Sequence, residues 1–114
     1  MWKRGITSKN VRRVDGFLIA RVDKKDTRLP YEIWLHSLGK RGKMGNLPRV
    51  GAVLGKKVIP ISISETPEIL SHDELPEENF ILDWVRQNHK ALMLHWDGVI
   101  DDYEVLAVVS KPVG

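Results

Sequence analysis

His36 and Tyr31, with Arg41 and Lys43 nearby, are the residues of this chain whose types suit chemistry on a phosphodiester. An imidazole or phenol would move the proton while the cations hold the phosphate. Small metal-independent ribonucleases of the toxin type need little more, although nothing in the spacing here demands such an arrangement. Other chemistries lack even these ingredients. Ser37, Ser62, Ser64, Ser71 and Ser110 stand in no strained nucleophile elbow. The paired carboxylates Glu77–Glu78 and Asp101–Asp102 fall where helix starts use acids anyway. His89 and His95 are six residues apart, on different faces of one predicted helix, and there is no cysteine. That pattern points to neither a zinc site nor a thiol nucleophile. The expectation is a binding protein rather than an enzyme, with no catalytic residue, metal or cofactor.

Charge gives the positive indication. Residues 1–57 hold 15 Lys or Arg against 4 Asp or Glu, a net +11, and residues 58–114 hold 3 against 11, a net −8. Cations gathered on one surface create a field that steers a polyanion or an acidic protein toward it. The competing arrangement interleaves the two halves into surface pairs worth at most ~1 kcal/mol each. The residues assigned to a binding face are Arg12, Arg13, Trp34, Lys40, Arg41, Lys43, Arg49, Lys56 and Lys57. Of these, Lys40, Arg41 and Lys43 lie in a basic, glycine-rich loop over residues 37–48. It is not a phosphate-binding Walker loop, because no Ser or Thr follows the lysine and strands, not a helix, come next. Trp34 shares a strand face with Glu32 and His36, where an indole either packs or stacks a nucleobase.

The elements that must position these residues are legible in outline. A length of 114 residues suits one domain and buries enough surface for a core without disulfide or metal. The first dozen residues are polar enough to be flexible. Residues 16–22 are rich in strand formers, and residues 31–36 alternate Tyr31, Ile33 and Leu35 against Glu32, Trp34 and His36. Residues 23–30 between them read as a polar turn. Val50–Leu54 and Val58–Ser64 flank Gly55-Lys56-Lys57, a hairpin-length link. In the latter strand Ile59, Ile61 and Ile63 point inward, and Pro60 predicts either a position at a sheet edge or a second neighbour that begins past Pro60; an exposed edge leaves self-association into a homodimer available. A helix is predicted from Pro76 to His95, with Ile81, Val85, Asn88, Leu92 and Trp96 on its apolar face and Gly98 closing it. Asn88 on that face needs hydrogen-bond partners, most simply in backbone tying the helix to a strand end, and His95 reads as a satisfied core histidine. Asp101 opens a short helix that includes Tyr103, Leu106 and Ala107, although the β-branched run from Val105 also suits a strand. The fold class is therefore α+β: an antiparallel sheet of about four strands packed on one long helix, with a short C-terminal helix.

The segment Val58-Ile59-Pro60-Ile61-Ser62-Ile63-Ser64-Glu65-Thr66-Pro67-Glu68-Ile69-Leu70, then Trp84-Val85 and Asn88, then Leu92-Met93-Leu94-His95-Trp96-Asp97-Gly98-Val99-Ile100-Asp101 resembles a family of small uncharacterised bacterial proteins. The resemblance covers about residues 47–107 and lacks the Pro-Pro-His-Phe-His segment of the larger family. It implies an accessory or partner-binding role in a toxin–antitoxin-like gene neighbourhood and no catalytic residue. The leading expectation is thus a non-enzymatic bacterial module that binds nucleic acid or an acidic protein. The alternatives are a toxin-like ribonuclease and a protein-interaction partner such as an antitoxin-like or phage anti-defence factor. The basic N-terminus precedes no apolar stretch and no run approaches the ~20 residues of a membrane span, so a soluble, cytoplasmic protein without membrane contact is expected.

Overall fold

The computed structural model describes residues 11–14, 17–36 and 47–113, and the side chains of these except 12–14, 17 and 18. Of the first dozen residues, expected to be flexible, 1–10 lie outside the described residues, as do Gly16 and residues 37–46 of the glycine-rich loop, whereas Val11 and Arg12 belong to the first strand. The elements run β1 (Val11–Val14), β2 (Phe17–Val22), α1 (Lys24–Thr27), β3 (Ile33–Leu35), β4 (Arg49–Leu54), β5 (Lys57–Ser62), α2 (Glu78–Trp96) and α3 (Asp102–Val109). Each strand pairs antiparallel with its neighbour in sequence, giving the order β1-β2-β3-β4-β5. The α+β class, the long helix and the short C-terminal helix are as expected, and β1 adds a further strand.

Alternation decides which face of this sheet is dry. Ala20, Val22, Ile33, Leu35, Val50, Ala52, Ile59 and Ile61 project to one side and are almost fully buried. Ile81, Trp84, Val85, Leu92 and Trp96 of α2 and Val105, Leu106 and Val109 of α3 complete the same core. Each such aliphatic side chain contributes about 1.5–3 kcal/mol on leaving water. Val105–Val109 is helical despite its β-branched residues. Asp101 accepts the Glu104 N–H at 2.8 Å, and Glu104 accepts the Asp101 N–H at 2.9 Å, a reciprocal cap that starts α3. The Trp84 indole donates to the Val109 carbonyl at 3.1 Å and the Val113 N–H to the Thr27 carbonyl at 3.0 Å, which fastens the C-terminus across the core.

Several boundaries differ from the sequence reading. The helix begins at Glu78, not Pro76, because Glu77 takes a left-handed conformation at φ 57 and Pro76–Glu77 forms a turn. The Tyr31 hydroxyl donates to the Pro76 carbonyl at 2.7 Å and holds that turn against the sheet. The polar stretch after β2 is one turn of helix rather than a plain turn. Asp23 accepts the Lys25 N–H at 3.0 Å, and Arg28 ends α1 at φ 68. Asn88 ties nothing to a strand end: its amide donates to the Trp84 carbonyl one turn back, at 2.8 Å. Gly98, at φ 77, follows α2 in the left-handed conformation expected of it.

β5 is an edge strand, as Pro60 requires, but the edge is covered. The Leu70 N–H reaches the Pro60 carbonyl at 2.9 Å and the Ser62 N–H reaches the Glu68 carbonyl at 3.0 Å. N–H and C=O of one strand residue point the same way, so the missing N–H of Pro60 faces away from β4 and costs the ladder nothing. The edge around Pro60 is therefore filled by residues 68–70 and offers no ready template for strand pairing with a second copy.

On the opposite sheet face Gly51 sits between Trp34 on β3 and Pro60 on β5. A Cβ there would lie 2.4 Å from Val58 Cγ1, and valine has little rotamer freedom to retreat. Gly51→Ala is expected to lower the urea-unfolding free energy by about 1–3 kcal/mol, and adding Val58→Ala to restore most of it. An undiminished stability in the single variant would show that the contact is not tight.

Candidate functional site

The direction of the strands places two sets of cations together. β2 and β4 run the same way in the meander, so α1 after β2 and the Gly55–Lys56 turn after β4 lie at one end of the sheet. Lys24, Lys25 and Arg28 are exposed on the first, Lys56 and Lys57 on the second. Among the described residues only Lys57 of these five has a carboxylate within ion-pair distance, Asp73 at 3.0 Å. The Ser71 hydroxyl at 2.8 Å and the Lys57 ammonium hold the Asp73 carboxyl below its ordinary range.

At this end opens a cleft of about 400 Å³ lined by Arg21, Asp23, Lys24, Glu32, Val53 and Gly55 among others. That volume falls in the range of roughly 300–1,000 Å³ used by small-molecule and cofactor sites. Arg21, Glu32 and Val53 alternate with core residues, so the cleft belongs to the sheet face that α2 and α3 leave alone. One wall is built from ion pairs: Arg21 donates to Glu32 Oε2 at 2.8 Å and lies 3.9 Å from Asp23. The other Glu32 oxygen accepts the Trp34 indole N–H at 3.0 Å. Arg21, Glu32 and Trp34 thus form one connected set, in which the indole is held by its edge and remains half-buried.

The residues singled out from sequence separate into groups. Trp34, Lys56 and Lys57 lie on or beside this end of the outer face. Arg49 does not. It is 8 % exposed, its guanidinium lies 5.6 Å from the Trp96 ring centre, and it donates to the Leu47 carbonyl at 3.0 Å. It packs against an aromatic ring as a structural cation, and burial draws its guanidinium below the ordinary value. Arg12 and Arg13 are central in β1, with side chains outside the described residues, as are Lys40, Arg41 and Lys43 altogether. The chain leaves β3 at His36 and re-enters β4 at Arg49, the end of the sheet remote from Lys56 by the length of a six-residue strand, about 17–20 Å. Lys24, Lys25 and Arg28 were missed because they fell in an expected turn. Their signal was the charge run Lys24-Lys25-Asp26-Thr27-Arg28 itself.

Tyr31 and His36 do not form a catalytic pair. Five residues apart in an extended segment, they point to opposite faces. Tyr31 is 3 % exposed with its hydroxyl on Pro76, and His36 is 8 % exposed. His95 is buried and meets Asp102 Oδ1 at 2.6 Å, joining the end of α2 to the start of α3. Among the described residues no group of three His, Asp or Glu side chains has metal-binding geometry. Opposite the sheet, α2 and α3 leave an apolar groove lined by Ala91, Leu94, Ile100, Tyr103 and Val108.

Tyr31 yields a test of this geometry. Burial first, then the charges of Glu77 and Glu78, push its phenol up from 10.0 to about 12. A raised folded value means that the neutral phenol stabilises fully below about pH 10 and that this contribution disappears as pH rises through 12. Urea-unfolding free energy is expected to fall across that window, and less steeply in Tyr31→Phe. At neutral pH the same variant should cost about 0.5–1.5 kcal/mol for the lost hydrogen bond to Pro76. An identical slope in both proteins would exclude Tyr31 as the titrating group.

No protein-family model matches the chain, and comparisons with curated proteins and with solved structures give no match either, so the site rests on its own geometry.

Proposed function

We propose that this protein is a small nucleic-acid-binding module that grips a phosphate backbone with the cations at the α1 end of its sheet. The observation that carries the reading is that exposed Lys24, Lys25 and Arg28 on or beside α1 and exposed Lys56 and Lys57 at the β4–β5 turn lie at one end of the sheet, with Lys24 and Gly55 lining the cleft there. Among the described residues four of the five have no carboxylate within ion-pair distance, although Asp23 and Asp26 share α1 with Lys24 and Lys25. Acids stand at the same end as well: Asp23 and Asp26 on α1, Glu32 in the cleft wall paired with Arg21, Asp73 on Lys57, and Glu77 and Glu78, whose charges act on Tyr31.

Nucleic acid suits this surface better than an acidic protein because an indole stands within the same connected set as the cleft wall. Cations beside an aromatic face are the usual means of holding a polynucleotide. The resemblance over residues 47–107 to a bacterial family with partner-binding roles is compatible with a binding module and supplies no catalytic group. Binding in this mode consists of phosphate neutralisation and release of counterions, so it carries a salt dependence that a protein–protein contact does not reproduce.

The experiment is a salt titration of affinity with a labelled mixed-sequence RNA and DNA pool. The logarithm of the binding constant should fall linearly with the logarithm of salt concentration. Lys24→Ala, Lys25→Ala and Lys56→Ala should each reduce that slope by about 1 while leaving the unfolding transition unchanged. No measurable binding at low salt would overturn the proposal and turn attention to an acidic protein.

A further inference from the structure

Resting on the nucleic-acid reading, we propose that the ligand is single-stranded and that Trp34 carries a stacked base. The row across the outer face reads Arg21, Trp34, Gly51 and Pro60 on four adjacent strands. Gly51 contributes no side chain and is itself buried, because Val58 Cγ1 of β5 fills the space where a Cβ would stand. Val58 itself is 42 % exposed, and Val53 and Pro60 are half-buried, so an apolar strip continues from the indole across β4 and β5.

The indole is braced for such use. Its N–H is engaged by Glu32 at 3.0 Å, and Glu32 is fixed in turn by Arg21 at 2.8 Å. With its edge held by a charged acceptor, the half-buried indole has little rotamer freedom left to lose on binding. The cleft begins one residue pair further along the strands, at Glu32 and Val53, with Lys24 at its margin. A chain whose base lies on Trp34 therefore has its backbone within the field of Lys24, Lys25 and Lys56.

A duplex cannot use this strip, because its bases are stacked on one another and present only their edges. Unpaired bases present faces, and aromatic platforms flanked by cations select them without regard to sequence. The charge complementarity of the margin and the apolar character of the strip together select a single strand as the occupant.

The test compares a labelled mixed-sequence DNA strand of about a dozen nucleotides with the duplex formed from it and its complement. Affinity for the single strand should exceed that for the duplex at equal salt. Trp34→Ala should lower single-strand affinity roughly 5- to 100-fold with the salt slope unchanged, and Trp34→Phe should recover much of the loss. Lys24→Ala should instead lower affinity together with the salt slope, the slope by about 1. Circular dichroism and the unfolding midpoint check that each variant folds, and Trp34→Phe keeps the test decisive if Trp34→Ala does not. A duplex bound as tightly as the strand, or a Trp34→Phe protein as weak as Trp34→Ala, would overturn the single-strand assignment while leaving phosphate binding intact. Absence of binding to either form at low salt would overturn both.

Discussion

One face of the meander is a continuous layer of aliphatic side chains, and the packing of α2 on that layer is what every other feature requires. Ile33, Ala52, Ile59 and Ile61 would otherwise meet water, and a sheet of strands as short as three to six residues has little independent stability. α2 spans the sheet from the turn held by Tyr31 to Trp96, which lies beside Arg49. Its position fixes where α3 returns, and with that the closure of Val113 onto Thr27. The helices cover one face of the sheet, while on the other Ile19, His36 and Gly51 are also buried and Arg21, Trp34 and Val53 are half-exposed.

Polar groups within the core are arranged so that this packing has few alternatives. Asn88 satisfies its amide on the carbonyl of its own preceding turn, and the Trp84 indole reaches the last residue of α3. His95 and Asp102 meet across the α2–α3 connection. The Asp102 carboxylate stands in the first turn of α3, where the helix dipole favours negative charge. Sliding or rotating either helix would strip partners from groups already out of water, at a cost of about 1–3 kcal/mol each. The arrangement of the helix pair is held by these polar contacts as well as by apolar fit.

The outer face shows a different logic. Arg21, Glu32 and Trp34 form a chain of charge-assisted contacts in place of a hydrophobic layer, and beside it Gly51 leaves room for the Val58 side chain. Such a face is built of groups already oriented by their neighbours, which reduces the entropy lost when a ligand arrives. The exposed cations lie on α1 and on the hairpin turn, outside the core, where their number and sign are not constrained by packing.

Local rules acting on neighbouring residues made much of this legible in advance. Period-two alternation in Ile59, Ile61 and Ile63 identified the buried face of β5, and the three-to-four spacing of Ile81, Val85, Asn88 and Leu92 identified the buried face of α2. Asp101 marked the start of α3, and Gly98 the left-handed exit from α2. Pro60 announced an edge strand. What sequence could not decide depended on partners far along the chain. The start of α2 moved because Tyr31 holds Pro76 across 45 residues, and the Pro60 edge is closed because residues 68–70 return to it. Arg49 looked like a surface cation and became a buried one because Trp96, distant in sequence, arrives beside it. The meeting of α1 with the Lys56 turn across a cleft is likewise a consequence of strand order. Charge and alternation belong to neighbouring residues and can be read along the chain, whereas which cations face the same solvent depends on how the whole meander closes against its helices.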